Sequence, residues 1–186
     1  LKKSHQFFLE LEHSPPGEVG VREKTMFANI VRLKPSHPNA KIIVWVHNAH
    51  TAKSPVRFLN TGIPESPKLE LLGTMLKEKY GDEVTSIGTA SPALAPGAEE
   101  IKINTEILDH LLLKDEPALF LLDFAKIHPE SPAGILLHSS CKLTADQGGF
   151  LSLKPANAYD GLFFIRNGSK TQYSPSSEKR FMTLFQ

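Results

Sequence analysis

Residues 42–46, I-I-V-W-V, are five consecutive β-branched or aromatic positions, and they constrain the fold more than any other stretch. A strand whose two alternating sets of side chains are both apolar must be covered on both faces, as strands are in the parallel sheets of α/β proteins. The run starts after Lys41 and ends in His47, Asn48, Ala49 and His50, so two imidazoles and an amide stand at the expected carboxyl end of the strand. Open α/β sheets bind ligands in the crevice beyond that end. The expectation is an α/β fold with a mostly parallel sheet flanked by helices, and a candidate site at the end of this strand.

The remaining chain can be arranged around such a strand. Met26, Phe27, Ile30 and Leu33 give residues 21–33 a helical stripe, which Pro35 and Pro38 end. Leu69, Leu72, Met75, Leu76 and Tyr80 do the same for residues 68–80, with a stop at Gly81 and Asp82. A short strand over residues 84–88 then completes a βαβ unit with a right-handed crossover. Further on, the pattern predicts a helix over residues 104–113 capped by Asn104, and a buried strand over residues 117–124 containing Asp123 near its end. It also predicts an irregular stretch over residues 127–150 and a last strand over residues 161–165.

Two loops rich in proline and glycine, residues 51–67 and 89–97, follow strands and are expected to wall the crevice. At the start, Phe7, Phe8 and Leu11 suggest the end of a helix, broken by Ser14, Pro15, Pro16 and Gly17. Residues 167–186 form a polar tail that closes on Phe181, Leu184 and Phe185, the makings of a short terminal helix. Without an internal repeat or a shift in composition, residues 1–186 read as a single α/β domain or a domain fragment.

Composition excludes several classes of function. A net charge of +1, from 21 basic and 20 acidic residues, gives no electrostatic basis for binding nucleic acid or an anionic membrane. The single cysteine, Cys141, excludes an internal disulfide framework and a cysteine zinc cage. No apolar run approaches the roughly 18 residues that span a bilayer. A soluble protein is expected, with the cytoplasm favoured. The sequence begins at Leu1 with neither an initiator methionine nor a signal-peptide pattern, so further residues upstream are expected.

An imidazole can accept a proton near pH 7 or offer a lone pair to a metal. His47 and His50, three residues apart, can converge on one ligand, and Asn48 adds an amide that can orient a ring or a carbonyl. With a carboxylate such as Asp123 the pair could instead hold a divalent metal. Asp123 is read at about two to one as a turn cap rather than a cleft carboxylate. Ser139, Ser140 and Cys141 lack a G-x-S-x-G elbow, and Gly148-Gly149 lacks the following lysine of a phosphate-binding loop. His128 and His138 flank a Ser-Pro-Ala-Gly stretch and read as surface residues. His5, His13, His37 and His110 read as solvated.

Three motifs carry a family resemblance. They are R-E-K-T-M-F-A-N-I-V-R-L from Arg22, K-I-I-V-W-V-H-N-A-H from Lys41, and L-L-G-T-M-L-K-E-K-Y-G-D from Leu71. Together with Y-D-G-L-F-F-I from Tyr159, they resemble the erythromycin esterase-like family, in order, over most of the chain from Arg22 to Arg166. Its pattern is an arginine–acid pair before M-A-x-N, then W-A-H-N-x-H after a strand, then a small-residue helix reaching Y-G-D. The departures are Phe27 within M-A-x-N, Glu23 for the usual aspartate and Val46 for alanine.

The resemblance implies a hydrolase that opens an ester or lactone by histidine-assisted attack of water. His47 and His50 would line the catalytic cleft, with Asn48, Arg22 and Asp123 as supporting or substrate-binding residues. No cofactor is implied, and a divalent metal at the histidine pair stands as an alternative. The family's G-E-x-x-H-G element, with its general base, is absent from these residues. The chain thus resembles the C-terminal half of a larger fold, whose N-terminal half would be its partner alongside a small-molecule substrate. From a different class, a non-catalytic small-molecule-binding or degenerate member of the same fold would share these features.

Overall fold

The protein is described from a computed structural model over residues 20–59, 70–91, 104–113, 117–144 and 149–166. Helix α1, Gly20–Ser36, carries Glu23 in its first turn and Lys34 in its last, each suited to the local end of the helix dipole. Asn48–Thr51 forms a single turn, α2. Helix α3, Leu72–Tyr80, stops at Gly81, whose φ of 55° is the left-handed conformation that glycine accepts without strain. The short helices α4 (Leu108–Leu111), α5 (Pro132–His138) and α6 (Pro155–Ala158) complete the set, with α5 capped by the Ser131 hydroxyl on the Gly134 N–H and started by Pro132.

Among the described residues six strands make two sheets of three. In the first, β1 (Arg57–Leu59), β5 (Phe150–Leu153) and β4 (Cys141–Thr144) lie in that order, all antiparallel. The second has the order β2 (Ile87–Ala90), β6 (Gly161–Ile165), β3 (Leu119–Asp123). There β2 and β6 run parallel, while β3 is antiparallel to β6. One core serves both sheets: Leu143 and Leu151 of the first pack in one cluster with Leu162, Phe164 and Ala90 of the second, and with Ala49, Leu71 and Tyr159.

Several expectations are corrected. The sheets are small and mixed rather than mostly parallel, with β2–β6 the one parallel strand pair among the described residues. Residues 42–46 join no sheet among the described residues: Ile43 is 89% exposed and Trp45 93% exposed. A doubly buried strand needs neighbours at both edges and cover on both faces, and the described residues supply neither. The strand expected at 84–88 lies at Ile87–Ala90.

The helix expected over 104–113 shrinks to Leu108–Leu111, because the Asn104 side chain accepts from the Glu106 N–H in a local turn instead of capping a helix. The strand expected as buried over 117–124 is an edge strand with Leu119 and Leu121 in solvent. The stretch expected as irregular holds α5, β4 and the start of β5, and the loop expected over 51–67 contains β1. The opening helix, the terminal helix of the 167–186 tail, residues 60–67 of the 51–67 loop and all but the start of the 89–97 loop lie outside the described residues.

Candidate functional site

The H-N-A-H element sends its four side chains to four places. His47, in extended conformation, caps α2 through Nδ1, which accepts from the Ala49 N–H at 3.3 Å. Asn48 grips β2: its Nδ2 donates to the Thr89 carbonyl at 2.6 Å, and its Oδ1 accepts from the Thr89 N–H at 2.7 Å and the Thr89 hydroxyl at 3.1 Å. The amide thereby imitates a paired strand residue at the open edge of β2. Ala49 is fully buried in the core. His50 turns toward α1.

There it meets a carboxylate that the sequence did not single out as a site residue. Glu23 is 3% exposed, and its Oε1 lies 2.8 Å from His50 Nδ1. The contact is close without forming an aligned hydrogen bond at Nδ1. The other oxygen, Oε2, accepts from the Leu72 N–H at 2.8 Å. Leu71 gives α3 no side-chain cap, so Glu23 satisfies one of that helix's otherwise unpaired N–H groups and sits at the positive end of its dipole. One buried carboxylate thus ties α1, α2 and α3 together. A proton on Nδ1, facing the carboxylate, leaves the lone pair of His50 on Nε2.

The signal for Glu23 was present in the sequence. It stands four residues before Phe27 and seven before Ile30, on the apolar stripe of α1, where an acid has a buried destination. Its neighbour Arg22, the position named from the sequence, is exposed.

Packing holds this geometry from several directions. A Cβ on Gly73 would lie 2.4 Å from the Thr51 carbonyl oxygen and 2.5 Å from that of Ala52, so glycine lets α3 rest directly on the end of α2. The Ser86 hydroxyl donates to the Thr51 carbonyl at 2.6 Å, and the buried Tyr159 hydroxyl donates to the Asn48 carbonyl at 3.1 Å. Burial drives the Tyr159 pKa well above its ordinary value, so the phenol remains a donor. Lys53 pairs with Asp160, which also accepts from the Ser86 N–H at 2.7 Å. The two imidazoles stand edge to face with centroids 6.2 Å apart, and His50 keeps 17% of its side chain exposed.

The structure does not bring Asp123 to this pair. Its Oδ1 accepts from the Ala125 N–H at 3.1 Å, capping the turn after β3, and Lys126 lies 3.5 Å from its carboxylate. It is level with Gly161, which is level with Ile87, at the end of the sheet away from Thr89. Among the described residues no group of three or more His, Cys, Asp or Glu side chains is placed to hold a metal ion, and Asp123 does not join the histidine pair as the alternative metal site would require. Burial, then the Asp109 carboxylate, push the Cys141 thiol up to about 11, the opposite of what a nucleophile needs. No helix among the described residues is long and apolar enough to cross a membrane.

These features define a small α/β protein with paired histidines beside a buried carboxylate. It belongs to the erythromycin esterase family, whose model matches residues 3–168. Among solved structures, a succinoglycan biosynthesis protein is similar at 20% identity and a TM-score of 0.61, over 77% of this chain and 37% of its own. A Bacillus cereus protein is similar at 20% identity and a TM-score of 0.57, with the same two coverages. A mutant of the erythromycin esterase EreC in its open conformation is similar at 16% identity and a TM-score of 0.60, over 90% of this chain and 42% of its own. At these identities the likeness is one of fold, and the chain spans less than half the length of each structure. No curated protein matches it.

Proposed function

We propose that this chain carries one part of a hydrolytic site that opens an ester or lactone by histidine-assisted attack of water. The carrying observation is the buried Glu23 carboxylate against His50 Nδ1. In this reading His50 Nε2 takes a proton from water as its oxygen attacks the acyl carbon, and Glu23 steadies the imidazolium that forms. The proton then passes to the departing alkoxide, which leaves as the alcohol. A contact that is close but not aligned is what such a pair shows before substrate tightens it. His47 stands beside His50 as the second catalytic imidazole, Asn48 acts by holding α2 on β2, and Arg22, exposed on α1, is a substrate-side contact.

Oxyanion stabilisation has no assigned residue here, and it falls in this reading to polypeptide beyond this chain, an N-terminal half of the same protein. Three observations support such a partner. Ile43 and Trp45 are bare, the outward side of the second sheet is apolar, and the solved relatives are more than twice as long as the part this chain matches.

The test is turnover of simple esters and lactones by the intact polypeptide. His50→Ala should lower kcat by about 10²–10⁴, the range for a positioned general base, with the fold retained. His47→Ala should remove most turnover, and Glu23→Gln should lower kcat by less than His50→Ala. Unchanged turnover in both histidine variants would sink the assignment in favour of a non-catalytic binding protein.

A further inference from the structure

A pocket of about 460 Å³ opens on the outward side of the first sheet, and it shares no residue with the Glu23–His50 assembly. Strand register builds its wall. Arg57 of β1 and Ser152 of β5 are direct cross-strand partners, so their side chains share a face. Lys154 follows Ser152 by two residues and continues that face beyond the strand end. Ser140 precedes Cys141, which pairs with Leu153, and this sets Ser140 across from Lys154. Ser54, just beyond α2, and Asn157 of α6 close the other side.

The lining is chemically one-sided. It presents two cations, three hydroxyls and a carboxamide, and no carboxylate. Lys34, Lys53, Lys77, Lys126 and Lys142 each hold a carboxylate, whereas Arg57 and Lys154 hold none among the described residues. Two uncommitted cations facing one space repel each other, and an anion between them relieves this. The volume falls within the roughly 300–1,000 Å³ of small-molecule sites, so it takes more than a bare ion.

We propose that this pocket binds the phosphoryl group of a small phosphate monoester. The charge matches, since a monoester carries about −1.5 to −2 near pH 7, against one guanidinium and one ammonium. The chemistry of the lining matches as well: a guanidinium fork can grip two phosphoryl oxygens at once, and the three serines are hydroxyl donors. A carboxylate would leave one cation unanswered.

The test is calorimetric titration of the purified protein with inorganic phosphate, phenyl phosphate and acetate at one ionic strength set with sodium chloride. Saturable binding of phosphate and phenyl phosphate is expected, at least tenfold tighter than acetate. It should weaken at least tenfold in an Arg57→Ala/Lys154→Ala variant whose melting is unchanged. A Lys24→Ala/Lys126→Ala variant removes the same charge elsewhere and should bind as the parent does. Absence of saturation, equal binding of acetate, or equal loss in the two double variants overturns the proposal.

Discussion

The two sheets share a core and differ on the side turned away from it. Across the middle of the first, the outward row is Arg57, Ser152 and Lys142, a polar row suited to water. The corresponding side of the second carries Ile87, Phe163, Leu121 and Leu119, each at least 36% exposed, with the bare Ile43 and Trp45 on the segment that leads to Asn48 and its grip on β2. Short strands of three to five residues and similar apolar content thus end in opposite surfaces. The first sheet is polar on its outward side and the second apolar, and under the proposed function the second is the side on which a further layer would pack.

The largest test of the comparison is whether the shared core makes both sheets one cooperative unit. Phe164, fully buried in β6, stacks on Phe120 with centroids 4.9 Å apart. Phe164→Ala should cost about 3–5 kcal/mol, and protection of backbone amides in β5 should fall together with that in β6. Loss confined to β2, β6 and β3 would separate the sheets.

A smaller effect comes from Cys141 on the first sheet. Its ordinary thiol value is 9.0 and its folded value about 11, so the folded state holds the proton more tightly. That contribution is intact below about pH 9 and is lost as pH climbs to about 11. Thermal melts over this window should decline in the parent, and Cys141→Ala should decline less; identical slopes would refute the shift.

The smallest expected change sharpens the contrast most. Leu121→Glu, on the bare side of β3, should alter the stability of this chain by no more than about 0.5 kcal/mol while raising its solubility. In a polypeptide that carries the proposed N-terminal half, the same change should cost more than about 1 kcal/mol, because it would bury a charge against the covering layer. A large cost in this chain alone would show that the face is already covered.

How much of this was legible varies by element. α1, α3 and β6 were readable because each carries its own periodicity or a continuous apolar run within one segment. β1, β4 and β5 were not, because short antiparallel strands with mixed side chains gain their identity from partners: Cys141–Thr144 is a strand through its pairing with Phe150–Leu153. α5 was signalled by Ser131 and Pro132 at its start, a cap and first-turn pair that the surrounding loop composition obscured. Residues 42–46 failed in the other direction: strand propensity was present, but the described residues hold no strand partner for them.

By itself, then, the sequence determined the phases of two helices, the order of the H-N-A-H element, and the placing of histidines after an extended apolar run. Those depend on neighbours a few residues away. Tertiary structure alone decided that Glu23 meets His50, that the Asn48 amide is engaged by Thr89, and that Asp123 stands apart. Each of these joins or separates side chains distant in the chain, Asn48 and Thr89 being 41 residues apart. No local pattern encodes such meetings, because packing around Gly73 and the shared core sets the distances.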